Sequence, residues 1–186
     1  MKIGIFVGSF NPVHKGHIQI VDNILNKKIV DKVLIIPTGN YWNKNDIIDL
    51  NHRINMLEYY ASKNIIIEKE LNNLKYTYLI INELKKRYKK DELSLIIGAD
   101  NIVDFDKWKE YKELLKLNLI IVKRNNINVK YYLNKLNKKD KYIILDIKDK
   151  NYSSTNIRNN INNLDILKEM MDMEIINYIK ENNLYK

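Results

Sequence analysis

Gly8-Ser9-Phe10-Asn11-Pro12-Val13-His14-Lys15-Gly16-His17 decides how this chain is read. It follows directly on Lys2–Val7, a short apolar run of strand character. It has the parts of an anion site at the end of a strand. Gly8 permits close backbone approach, Pro12 stiffens the turn, and a helix starting near His14–His17 aims its first N–H groups at a bound anion. His14 and His17 stand one helical turn apart, so both rings can face one group. The string is neither GxGxxG nor a Walker A loop, which disfavours a dehydrogenase-type dinucleotide site.

Outward from this string, five more runs are short, continuous and rich in branched apolar residues: Lys32–Ile36, Asn64–Glu68, Leu93–Ile97, Asn118–Val122 and Tyr142–Leu145. Such runs suit parallel strands buried on both faces. Helical patterns lie between them, roughly over 17–28, 51–63, 76–90 and 107–116, with a last one over 172–183. The stretch 125–141 reads as surface loops and helix faces. Alternating strands and helices predict an α/β fold, a doubly wound parallel sheet with helices on both faces. Ligands of such sheets bind at the carboxyl ends of the strands, near the switch in strand order. Functional residues are therefore expected just after the strands.

Composition narrows the class. The 186 residues suit one α/β domain. There is no cysteine, which excludes disulfides, thiol nucleophiles and thiolate metal sites and fits a cytoplasmic protein. No apolar run is long enough to span a bilayer, and the first residues do not read as a secretory signal. The net charge of +9 points toward nucleic acid only weakly. The chain has 28 Lys, 31 Ile and 28 Asn against 2 Ala, the bias of A/T-rich codons, and the lysines are spread along its whole length. Against that bias, 4 arginines among 32 basic residues mark positions such as Arg53 and Arg158 where a planar fork matters. The ordinary alternative for Arg53 is a solvated residue behind an Asn51 cap.

The ten-residue string resembles the GxFxPxHxGH motif of the HxGH nucleotidyltransferases. Gly98-Ala99-Asp100-Asn101 with Trp108, Tyr152-Ser153-Ser154-Thr155-Asn156-Ile157-Arg158, His52-Arg53-Ile54-Asn55-Met56-Leu57, Tyr76-Thr77 and the Tyr178–Tyr185 tail resemble blocks of one branch, the bacterial nicotinate(nicotinamide)-mononucleotide adenylyltransferases. The resemblance covers essentially the whole chain. It implies the family's Rossmann-like fold, with residues 1–186 as a single nucleotidyltransferase domain. It also implies transfer of the AMP moiety of ATP to nicotinate or nicotinamide mononucleotide, with Mg²⁺ carried by the ATP phosphates.

The resemblance assigns the catalytic work to His14, His17, Lys44 and Arg158. ATP would be bound by Gly8, Ser9, Phe10, His14, His17, Gly98, Asp100, Ser154, Thr155 and Arg158. The mononucleotide would meet Asn11, Lys44, Thr77, Asp100 and Trp108. Each has an elementary chemistry. A carboxylate at Asp100 accepts from ribose hydroxyls, or else caps the next helix. The Trp108 indole attracts a pyridinium ring, or else packs. Ser153 or Ser154 caps a helix whose Arg158 turns back toward a triphosphate. No metal ligands are assigned.

Three positions depart from the family pattern. Asn11 stands where Asp is usual, Lys75 replaces a serine, and the loop Thr38-Gly39-Asn40-Tyr41-Trp42-Asn43-Lys44 lacks the PPH element. These changes leave room for another phosphorylated acceptor, such as phosphopantetheine. A basic nucleic-acid-binding protein is the distant alternative, and a homo-oligomer stays open.

Overall fold

The computed structural model describes residues 1–41, 47–123, 126–147 and 152–186. Six strands form one sheet: β1 (Lys2–Gly8), β2 (Lys32–Pro37), β3 (Ile65–Ile67), β4 (Glu92–Gly98), β5 (Asn118–Val122) and β6 (Tyr142–Leu145). All pair in parallel, in the order β3-β2-β1-β4-β5-β6. The winding reverses between β1 and β4. Their carboxyl ends, at Gly8 and Gly98, flank the crevice where open parallel sheets bind ligands.

The helices are α1 (Lys15–Asn26), α2 (Leu50–Glu58), α3 (Thr77–Arg87), α4 (Ala99–Val103), α5 (Tyr111–Leu114), α6 (Val129–Lys135), α7 (Ser154–Asn159), α8 (Leu164–Met170) and α9 (Met173–Glu181). Residues Phe105–Lys107 form a single 3-10 turn. Among the described residues no helix is long and apolar enough to cross a membrane.

Two apolar layers hold the sheet. One face buries Val33, Ile35, Ile96, Ile120 and Val122 against α1, α2, α8 and α9, through Val21, Ile24, Leu57, Leu167, Ile175 and Ile176. The other buries Ile5, Leu34, Ile36, Leu95, Leu119 and Ile121 against α3 to α6, through Ile81, Leu84, Ile102, Leu114 and Leu133. Successive side chains of a strand point to opposite faces. Continuous apolar runs are therefore what a sheet covered on both sides requires, and each fully buried Ile or Leu contributes roughly 1.5–3 kcal/mol.

The helix expectations need two corrections, and the helix face expected within 125–141 is found. The pattern over 107–116 is not one helix: Trp108 is extended and Glu110 takes a left-handed φ of 55°, so the 3-10 turn and α5 stay separate. The helix expected over 51–63 ends at Glu58, because the Ser62 hydroxyl accepts from the Asn64 and Ile65 N–H groups and turns the chain into β3. The stretch 125–141 contains α6, capped by Asn128 and anchored by buried Val129 and Leu133, i and i+4 on one face.

Candidate active site

The loop from Ser9 to Val13 leaves β1 and enters α1. Phe10 turns it with a φ of +45°, a left-handed conformation seldom taken by a side-chain-bearing residue. The Phe10 ring is buried edge-on against Phe6 and His17, with centroids 5.3 and 5.0 Å away. A side chain on Gly8 would meet that ring at 3.2 Å, so Gly8 is small because Phe10 folds back over it.

His14 caps α1, and His17 closes the box. The His14 N–H donates to His17 Nδ1 at 3.3 Å, and the His17 N–H donates to the His14 carbonyl at 2.9 Å. The two rings lie 3.7 Å apart between centroids, tilted by 30°. With Nδ1 accepting, a neutral His17 ring carries its proton on Nε2. Gly16 is needed beside this pair: a Cβ there would sit 3.0 Å from the His14 ring and 3.2 Å from Tyr152 Cβ.

Several elements grip the loop. From α7, Arg158 Nη1 donates to the Asn11 carbonyl at 2.8 Å, and its Nη2 lies 3.5 Å from Thr155 Oγ1. The Ser154 hydroxyl donates to the Pro12 carbonyl at 2.8 Å. The cap of α7 is Ser153, whose hydroxyl accepts from the Asn156 N–H, so the two serines divide the roles left open between them. Asn11 itself is 3% exposed. Its Oδ1 accepts from the Ile48 N–H at 3.3 Å and from the Tyr185 hydroxyl at 3.0 Å.

For Arg53 the fork expected from its scarcity is present, and the ordinary alternative of a solvated residue behind an Asn51 cap is excluded. The cap of α2 is Asp49, which accepts from the Asn51 N–H at 2.8 Å. Arg53 is 1% exposed. Its Nη1 donates to the carbonyls of Ser9 and Thr38, both at 2.7 Å, and its Nε to the Ile48 carbonyl at 3.2 Å. One guanidinium thus ties the loop after β1 to the loop after β2. Burial lowers its pKa, an effect opposed by Tyr185 and Asp49. The scarcity of arginine and the family-like block at residues 52–57 were the signals for it in the sequence.

At the end of β4, Gly98 is the N-cap of α4, and Asp100 stands exposed in the first turn. A Cβ on Gly98 would come within 2.3 Å of Asp100 Oδ1, so the carboxylate is folded over the bare glycine. Asp100 is therefore not the cap of α4.

A cavity of about 640 Å³ opens beside these strand ends. Gly8, Ser9, Thr77 and Trp108 all line it, and so do Thr38, Asn101, Tyr76 and three lysines, Lys75, Lys107 and Lys109. Among the described residues, none that lines it carries a carboxylate. Trp108 stacks one indole face on Phe105, centroids 5.1 Å apart at 29°. Lys75 Nζ and Lys109 Nζ lie 5.5 and 5.3 Å from the centre of the Tyr76 ring. Lys44 and Trp42 lie outside the described residues.

A family model described as cytidylyltransferase-like matches residues 5–160. A protein of Acholeplasma laidlawii named "Probable nicotinate-nucleotide adenylyltransferase" is 37% identical over 190 residues, covering 98% of this chain and 96% of that protein. One of Clostridium novyi with the same name is 34% identical over 200 residues, covering 100% of this chain and 99% of the relative. The chain belongs to the nicotinate-nucleotide adenylyltransferase family. Its fold agrees: the structure of Plasmodium falciparum nicotinic acid mononucleotide adenylyltransferase complexed with NaAD superposes with a TM-score of 0.83 over 99% of this chain and 97% of that one, at 24% identity.

Proposed function

We propose that this chain transfers the AMP moiety of Mg-ATP to nicotinate mononucleotide, giving deamido-NAD and pyrophosphate. The observation that carries the reading is a cavity walled by Trp108 that opens on Gly8 and Ser9 of the loop leading to the paired His14 and His17 rings, and whose charged lining among the described residues is lysine. Family membership sets the reaction class, and the charge of the cavity favours the acidic acceptor over its neutral amide.

An oxygen of the mononucleotide 5′-phosphate attacks the α-phosphorus of ATP. The bond from that phosphorus to the bridging oxygen breaks, and pyrophosphate leaves with the bonding pair. The attacking phosphate is already ionised at neutral pH, so no protein base is required. Alignment and charge stabilisation supply the acceleration, and alignment alone is worth roughly 7–11 kcal/mol.

In this assignment His14 and His17 hold phosphate oxygens near the reacting phosphorus, with His17 donating from Nε2. Arg158 offers Nη2, which also lies 3.5 Å from Thr155 Oγ1, to the triphosphate while Nη1 holds the Asn11 carbonyl. Gly8, Ser9 and Phe10 lend backbone, Thr155 and Ser154 stand at the start of α7, and Asp100 takes ribose hydroxyls. Lys44 is assigned to the phosphates from the sequence alone. Asn11 and Phe10, being buried, act through the shape of the loop. Trp108, its rear face covered by Phe105, offers the other face to the pyridine ring, and Thr77 stands beside it. Magnesium arrives with ATP as part of the substrate. Among the described residues, no three His, Asp or Glu side chains gather to form a metal site.

The test is product identity. Mg-ATP and nicotinate mononucleotide should yield deamido-NAD and pyrophosphate in equal amounts, faster than nicotinamide mononucleotide yields NAD. A reversed preference would refute the reading of the lysines, and turnover only with phosphopantetheine would move the acceptor to another class.

A further inference from the structure

Helix α9 ends in a bend that brings a tyrosine back to the loop before His14. Asn183 takes a φ of 52°, the Leu184 N–H donates to the Ile179 carbonyl at 3.0 Å, and Tyr185 takes a φ of 63°. Residues with side chains seldom adopt that region, and here two do within three positions. The outcome is specific. The Tyr185 ring, half-buried, packs against the core layer that includes α1, α2, α8 and α9, and its hydroxyl donates to Asn11 Oδ1 at 3.0 Å across 174 positions of sequence. Burial pushes the phenol well above its ordinary range, against the opposing charges of Arg53 and Arg158. The hydroxyl therefore keeps its proton, and with it its role as donor.

Asn11 is the residue through which this contact reaches the chemistry. Its carbonyl is held by Arg158 and its side chain by Ile48 and Tyr185. Between it and His14 lie only Pro12, whose carbonyl is held by Ser154, and the fully buried Val13. His14 in turn fixes the His17 ring through its N–H. A displacement of Asn11 has little slack to absorb it before the histidine pair.

We propose that Tyr185 is a positioning residue for the transferase centre, its hydroxyl fixing Asn11 and thereby the orientation of His14 and His17. This rests on the function proposed above. Tyr185 touches no substrate. It acts on how often the bound substrates meet correctly aligned histidines, so its loss appears in kcat and not in KM.

Tyr185→Phe, Asn11→Ala and the double variant test this in the full chain. Tyr185→Phe keeps the half-buried ring and removes only the hydroxyl. The expected result is a kcat about tenfold lower, the effect of one lost buried hydrogen bond. KM for both substrates should stay within about twofold of wild type, and the thermal midpoint within about 5 °C. In the Asn11→Ala background, Tyr185→Phe should cost no further activity, because the two act through one contact. An unchanged kcat, additive losses, or a loss matched by a collapse of the thermal midpoint would overturn the proposal.

A second readout needs no turnover. The chain has three histidines, His14, His17 and His52, so their ring proton resonances are separable. In Tyr185→Phe the His14 and His17 signals should move, with His52, bonded to Tyr178, as the internal reference. Unmoved His14 and His17 signals would overturn the proposal. If the wild-type chain forms no dinucleotide, the transferase reading fails, and these spectra still decide whether Tyr185 positions the histidines.

Discussion

The His17 ring holds His14 in two ways at once: its Nδ1 accepts the His14 N–H at 3.3 Å, and its face lies 3.7 Å from the His14 ring, centroid to centroid. A capping contact and the proposed reaction centre share one imidazole. The cap sets the tautomer, and the tautomer leaves an Nε2–H donor for phosphate.

Two substitutions separate these duties. His17→Ala should lower kcat by about 100-fold, the scale of one lost donor to a developing charge. It should also destabilise the fold by about 1 kcal/mol through loss of the cap. His17→Gln restores a side chain able to reach back to the His14 N–H. It should recover the thermal midpoint without recovering kcat. Equal kcat in His17→Ala and wild type would remove His17 from the chemistry.

Arg53 should matter most to stability. Arg53→Met fills similar space but leaves the Ser9, Thr38 and Ile48 carbonyls without their donor. The expected loss is about 3 kcal/mol in urea denaturation, the scale for breaking a buried polar network. Arg53→Lys should not restore it, because a single ammonium cannot reproduce the planar fork. A loss below about 1 kcal/mol would mean the loops hold one another without it.

Trp108 stacks on Phe105 and so presents one face to the cavity. Trp108→Ala should raise KM for the mononucleotide about tenfold and leave KM for ATP near wild type. Trp108→Phe should recover part of the difference. If both KM values rise together, the tryptophan shapes the whole crevice and the stacking assignment is wrong.

Gly98→Ala pushes a methyl group to where Asp100 Oδ1 now lies, 2.3 Å from the added carbon. The carboxylate sits at the free end of a side chain, so it can swing aside and the fold should survive. Activity should fall to the level of Asp100→Asn, and the two substitutions together should be no worse than either alone. Independent effects would mean that Gly98 serves the backbone turn and not the placement of Asp100.

All six strands were legible in the sequence, because a sheet buried on both faces writes itself as unbroken apolar runs. Of the short helices, α7 was legible from its serine cap, but others were not. α4 spans Ala99–Val103 directly after a strand, and α8 spans Leu164–Met170, too few turns for a clear period. In the site, the paired histidines and the residues after β1 and β4 follow from the rule that ligands sit at carboxyl ends of strands. Arg53 and Tyr185 escaped their full reading for a physical reason. Polarity makes an arginine look solvated and a tyrosine look like packing. What distinguishes these two is a set of oxygens brought near only by the finished fold.

The most direct measurement follows ATP labelled on its α-phosphorus during incubation with the chain, Mg²⁺ and nicotinate mononucleotide. The account predicts that the label moves quantitatively into deamido-NAD while the β- and γ-phosphorus atoms leave together as pyrophosphate. Label recovered as free AMP or ADP, or an acceptor carrying the γ-phosphate, would contradict adenylyl transfer at this site.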